Sequence, residues 1–135
     1  MLENQPVNIK IKMATLWITL MFLYIYGDYF ELYTPSKVEK LMNVTDVLDS
    51  PVKLFVAAVV LAIPAFMIAF NIFLKPAISR ILNILFGSLF TLVVVLVGST
   101  SLYPWYSFYV FYAFLEALVT IYIVWQAWKW PKENI

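Results

Sequence analysis

The sequence predicts an all-α integral membrane protein, an antiparallel bundle of four spanning helices with both termini in the cytoplasm. Two observations carry this reading. Of the 135 residues, 64% are apolar and only 13% charged, against roughly half and a quarter in soluble domains. The apolar residues also fall into four long runs separated by short polar connections. Each run is close to the roughly 20 residues that cross a bilayer, and together they fill a single domain over residues 1–135.

Residues 1–12 are polar and no signal-peptide cleavage pattern follows them, so the first run is expected to remain as a span. It extends from Met13 to Tyr33, with Asp28 and Glu31 in its last two turns. The second run covers Val52 to Leu74, the third Ala77 to Gly98 and the fourth Pro104 to Trp128. Helices are expected throughout, because a backbone amide in hydrocarbon must pair within its own segment. Thr34-Pro35, Ser50-Pro51 and Lys75-Pro76 read as helix starts with proline at the first position. The tight Lys75-Pro76 link predicts that the second and third spans are antiparallel neighbours, and the short link 99–103 predicts the same for the third and fourth. Between the first two spans, Val38, Leu41, Met42 and Leu48 recur at helical spacing among charged residues. A short amphipathic helix on the membrane surface is expected there.

Orientation follows from the basic residues. With the N-terminus inside, six lie on the inner side (Lys10, Lys12, Lys75, Arg80, Lys129 and Lys132) and three on the outer (Lys37, Lys40 and Lys53). That asymmetry predicts cytoplasmic termini. Trp17, Trp125, Trp128 and Trp130 are placed near the inner interface and Tyr103 and Trp105 near the outer one, as an aromatic belt. Tyr109, Phe111, Tyr112 and Phe114 lie too deep for a belt and are expected to pack in the bundle or face lipid.

Composition also narrows the chemistry. Cysteine and histidine are both absent. This removes disulfides, thiolate or imidazole metal sites, histidine-ligated haem and His-dependent triads. A net charge of +1 offers no broad basic surface for nucleic acid. Neither a cofactor nor a metal is expected.

Polar groups inside the spans are the informative residues, since a charge at the bilayer centre costs about 2.5–3.5 kcal/mol on insertion scales. Glu116 lies roughly 18 Å below the outer end of the fourth span, near the midplane. It should turn into the bundle. There it acts as a protonatable binding site, or as a neutral acid bonded to a Tyr or Thr of another helix. Asp28 lies roughly 8 Å below the outer end of the first span, beside Gly27, which leaves space for a partner or a water. Glu31 shares its face at i+3 but is expected to reach the interface and be solvated. Asn71 and Asn83 have matching depths on neighbouring helices and are expected to bond to each other. Arg80 should snorkel to the inner headgroups, with Lys75 as a second lipid contact. Pro64, in mid-span, should kink the second helix and free the carbonyl near Val60. Asn83, Gly87 and Thr91 form a small or polar stripe that permits close helix approach, inside the bundle or between subunits.

Six features stand out along the chain: Lys12-Met-Ala-Thr-Leu-Trp17, Tyr24-Ile-Tyr-Gly-Asp-Tyr-Phe30, Ile63-Pro-Ala-Phe-Met-Ile68, Leu74-Lys-Pro76 with Arg80 and Asn83, Glu116, and Val124-Trp-Gln-Ala-Trp-Lys-Trp-Pro131. In these the chain resembles an uncharacterised bacterial family of short four-span membrane proteins, a domain-of-unknown-function family. The resemblance implies four helices and a bacterial inner membrane, and it brings no activity with it.

The reading that follows is a small-molecule or cation binding or transport protein. Its ligand or proton site is lined by Tyr24, Asp28, Thr91, Tyr112 and Glu116 and opens outward past Asp28. A homodimer is expected, because chains of this size often need two copies to enclose a path. The alternative is a structural membrane protein that binds lipid or a partner and transports nothing. An enzyme ranks last. Its acids would be Asp28, Glu31 and Glu116, and the depths of Asp28 and Glu116 differ by roughly 10 Å in straight helices.

Overall fold

Asn8 opens the first helix by accepting a hydrogen bond from the Lys10 amide at 2.8 Å, which satisfies one of the donors a helix start leaves unpaired. The computed structural model describes residues 1–132, and no strand occurs among them. Helix α1 runs Ile9–Glu31, α2 Lys37–Met42, α3 Pro51–Phe73, α4 Pro76–Ser99 and α5 Ser107–Trp128, the last preceded by a 3-10 turn at Pro104–Tyr106. The four long helices are long and apolar enough to cross a membrane. Proline stands at the start of α3, α4 and the 3-10 turn, where its missing N–H costs nothing. The Ser50 hydroxyl accepts from the Lys53 amide at 3.2 Å to cap α3.

The surface helix differs from the expected one. It begins after Ser36 rather than at Pro35, and Leu48 lies beyond its end. Ser36 and Val44 both hold left-handed backbone, with φ of 67° and 55°. Two bonds close the helix, from the Thr45 amide to the Lys40 carbonyl at 2.9 Å and from the Val44 amide to the Leu41 carbonyl at 3.3 Å. This is the Schellman arrangement, with Val44 where glycine is usual. A β-branched residue there is strained, and Lys37 holds the loop in place by pairing with both Glu31, at 3.0 Å, and Asp46. The Lys37 ammonium keeps the Asp46 carboxyl below the usual carboxylate range.

Helix α1 packs on both α3 and α5, and α5 packs closely on α4. Helices α3 and α4 share the tight turn but touch sparingly. A buried polar knot joins α1, α3 and α4. The Trp17 indole donates to Asn83 Oδ1 at 2.7 Å, and Asn83 Nδ2 donates to Asn71 Oδ1 and to the Ser79 carbonyl, each at 2.6 Å. Asn71 Nδ2 donates in turn to the Met67 carbonyl at 2.8 Å. Trp17 is therefore no belt residue. It is fully buried, in a core with Met13, Leu20, Met67 and Ile123. Trp130 also packs into this core, whereas Trp125 and Trp128 stay exposed.

The α4–α5 contact is made by small residues. A Cβ on Gly87 would lie 2.7 Å from Val124 Cγ2, and one on Gly98 would lie 2.9 Å from the Ala113 Cβ. Close approach replaces the hydrophobic drive that lipid removes. The stripe that begins at Asn83 thus faces inward along its length, because residues 87, 91 and 98 share one side of α4.

Two substitutions test this packing in detergent unfolding experiments. Asn83→Leu should cost about 1–3 kcal/mol, since it leaves the Trp17 indole and the Asn71 carbonyl oxygen unpaired. Gly98→Val should cost a similar amount by overpacking, and Ala113→Gly in the same chain should restore much of it. Wild-type unfolding of Asn83→Leu would show that the knot does not hold the helices.

Candidate functional site

A cavity of about 180 Å³ lies between the four long helices, in the half of the molecule nearer α2. Helix α1 contributes Tyr24, Gly27 and Asp28, which share a face at i, i+3 and i+4. Helix α5 contributes Tyr109 and Glu116, two turns apart on one side. Phe90, Val93, Val94 and Val97 of α4 and Val60 and Leu61 of α3 complete the walls. All of these come from the late halves of α1 and α4 and the early halves of α3 and α5. The polar knot occupies the opposite halves.

Glu116 is 8% exposed, and no described residue forms a hydrogen bond with its carboxyl. Every fully enclosed side-chain polar atom among the described residues is paired. The Glu116 oxygens escape that demand because they open onto the cavity. Asp28 sits at the cavity edge and is exposed, while Tyr24 and Tyr109 are half-buried. The lining carries two carboxyls and two phenols but no basic side chain. Among the described residues, no third acid, Cys or His joins the two acids in a metal-holding group.

The carbonyl of Val60 loses its helical donor because Pro64, one turn on, has no N–H. Val60 lines this cavity, so the proline withdraws a bond at the cavity wall.

Three of the five residues expected in the site meet here: Tyr24, Asp28 and Glu116. Thr91 does not. Its hydroxyl lies 2.7 Å from both the Gly87 carbonyl and the Thr120 hydroxyl, on the face of α4 turned to α5. One residue of rotation separates it from Phe90, which does face the cavity. Tyr112 is also displaced. Its ring fills the space beside Gly27, and it lines a separate outer pocket with Phe30 and Trp105. Glu31 is paired rather than simply solvated, with Lys37 at 3.0 Å and the Tyr106 hydroxyl at 3.4 Å. Tyr109 was missed by sequence reasoning. The signal available was its spacing of seven from Glu116, which puts both on one helix face.

At the other end, Arg80 does not simply snorkel. Its Nε donates to the Ala127 carbonyl at 3.1 Å and its Nη2 to the Trp128 carbonyl at 3.2 Å, so it caps α5. Lys75 stands at the start of α4, exposed and without a side-chain cap bond.

A family model described as a family of unknown function (DUF6326) matches residues 4–135, and the chain belongs to that family. No curated protein and no solved structure matches the chain.

The natural absence of cysteine makes the cavity testable by single-cysteine labelling. Asp28→Cys should react readily with a membrane-impermeant maleimide. Thr120→Cys, from a fully buried position, should resist it in the folded protein. Equal labelling at the two positions would contradict the described packing.

Proposed function

We propose that this member of the family is a membrane protein whose cavity binds a small cation or protonated amine, and that it is a binding or transport protein rather than an enzyme. The observation that carries this is the Glu116 carboxyl. It is buried without a hydrogen bond and shares its cavity with a second acid, whereas the fully enclosed side-chain polar atoms of the described residues are all paired. An acid serving as interhelical glue would need a partner on another helix. Intramembrane acids that face a cavity mark ligand or proton sites.

The volume favours a small ligand, since 180 Å³ lies below the roughly 300–1,000 Å³ of drug-sized sites. Tyr24, Phe90 and Tyr109 supply aromatic faces that attract a cation. Asp28, at the edge, gathers cations from the outer side. Proton uptake by Glu116 removes the charge that holds the ligand, so protons and cations compete. One chain supplies all four walls, so binding needs no second copy, although a homodimer remains the assembly proposed for transport.

This reading places the four helices in an antiparallel bundle in a bacterial inner membrane, with both termini cytoplasmic. Two contacts between helix ends support the arrangement. Lys10, at the start of α1, donates to the Leu74 carbonyl after the end of α3, at 3.3 Å. Glu31, at the end of α1, meets Tyr106 just before α5. The distribution of basic residues supports the orientation.

Labelled methylammonium tests the site in protein reconstituted into liposomes. Wild-type protein should bind it saturably, and more weakly in acid, where protons compete for Glu116. Glu116→Gln should weaken binding tenfold or more, as expected for loss of a charged hydrogen-bond partner worth about 1.5–3 kcal/mol. Unchanged affinity in a folded Glu116→Gln protein would refute the reading.

A further inference from the structure

On the outer face of α4 and α5 runs an apolar groove of about 570 Å³, separate from the cavity. Leu92, Val95, Ile121 and Val124 form its walls, and Trp125 and Trp128 bound one end. Thr91 lies at its base, and its hydroxyl is satisfied by Gly87 and Thr120, so the groove presents little that is polar and unpaired. From Ser88 to Val95, or from Ile121 to Trp128, it extends roughly 10 Å along the helices. An acyl chain fits that shape.

The charged groups stand at one end only. The Arg80 guanidinium lies 5.7 Å from the centre of the Trp128 ring, and the Lys129 ammonium lies 4.1 Å from that of Trp125. The rings that close the groove thus carry both cations. Arg80 is fixed there by its two bonds to the end of α5, which use two of its five N–H donors. Neither Arg80 nor Lys129 forms an ion pair among the described residues. Fixed positive charge beside an apolar channel is complementary to an anionic headgroup with its chain attached.

We infer that the α4–α5 groove binds an anionic phospholipid, with one acyl chain along Leu92 and Val124 and its phosphodiester on Arg80 and Lys129. A zwitterionic lipid carries the same chains but no net charge, so it should bind more weakly. This inference is independent of the cation site, because the two share no lining residue.

Tryptophan quenching by brominated lipids tests it. In a Trp105→Phe background the remaining well-exposed indoles are Trp125 and Trp128, both in the groove. Brominated phosphatidylglycerol should compete for this site about fivefold or more better than brominated phosphatidylcholine. Lys129→Gln should remove most of that preference, and Ser88→Phe should reduce quenching by both lipids by filling the groove. Arg80 is left intact, since its loss would also uncap α5. Equal competition by the two lipids, or a preference that survives in both variants, would overturn the inference. So would quenching that rises as protein is diluted in the bilayer, because a second copy would then be the occupant.

Discussion

One side-chain amide fixes the arrangement of three helices. Asn83 of α4 accepts from Trp17 of α1 and donates to Asn71 of α3, and it spends its other N–H on its own helix. In lipid, apolar surfaces gain little by meeting one another, so hydrogen bonds and close backbone contact must set the geometry. The Asn83 knot sets it at one end of the molecule, and the Gly87 and Gly98 contacts set the α4–α5 seam. Helix α3, whose early half is mostly exposed, can then stand apart from the others at the α2 end. The space between them there is the acid-lined cavity.

The two halves therefore obey opposite rules. Among the described residues of one half, the enclosed side-chain polar atoms are paired. In the other, the buried Glu116 opens onto the cavity without a hydrogen bond, Asp28 is exposed at its edge, and α3 and α4 supply apolar walls. Such a division is costly for a purely structural protein, because an unpaired buried acid opposes insertion and folding. The cation of the proposed function would supply the partner that Glu116 lacks.

The number of long helices and most of their boundaries were legible in the sequence, because apolar length and proline placement fix them. The depth of a residue was legible too. Counting turns sets Asn71 level with Asn83 and puts Glu116 near mid-span. Rotation about the helix axis was much harder to read. A helix that is apolar on every side carries little signal about which face turns inward. Thr91 was accordingly assigned to the cavity when it faces α5, and Tyr109 was left out although it shares a face with Glu116. Trp17 and Arg80 failed for another reason. A tryptophan or arginine near a span end ordinarily serves the interface, and only the partners Asn83 and the α5 carbonyls, distant in sequence, draw these two inward.

Pro64 lies on α3 between the knot and the cavity wall. Residues Met67 and Asn71, after it, are buried, whereas most of α3 before it is exposed. The ladder bond to Val60 is missing at this border, where the packed part of α3 gives way to the exposed part. The cavity wall that Val60 and Leu61 supply thus belongs to the half of α3 that the polar knot does not tie down.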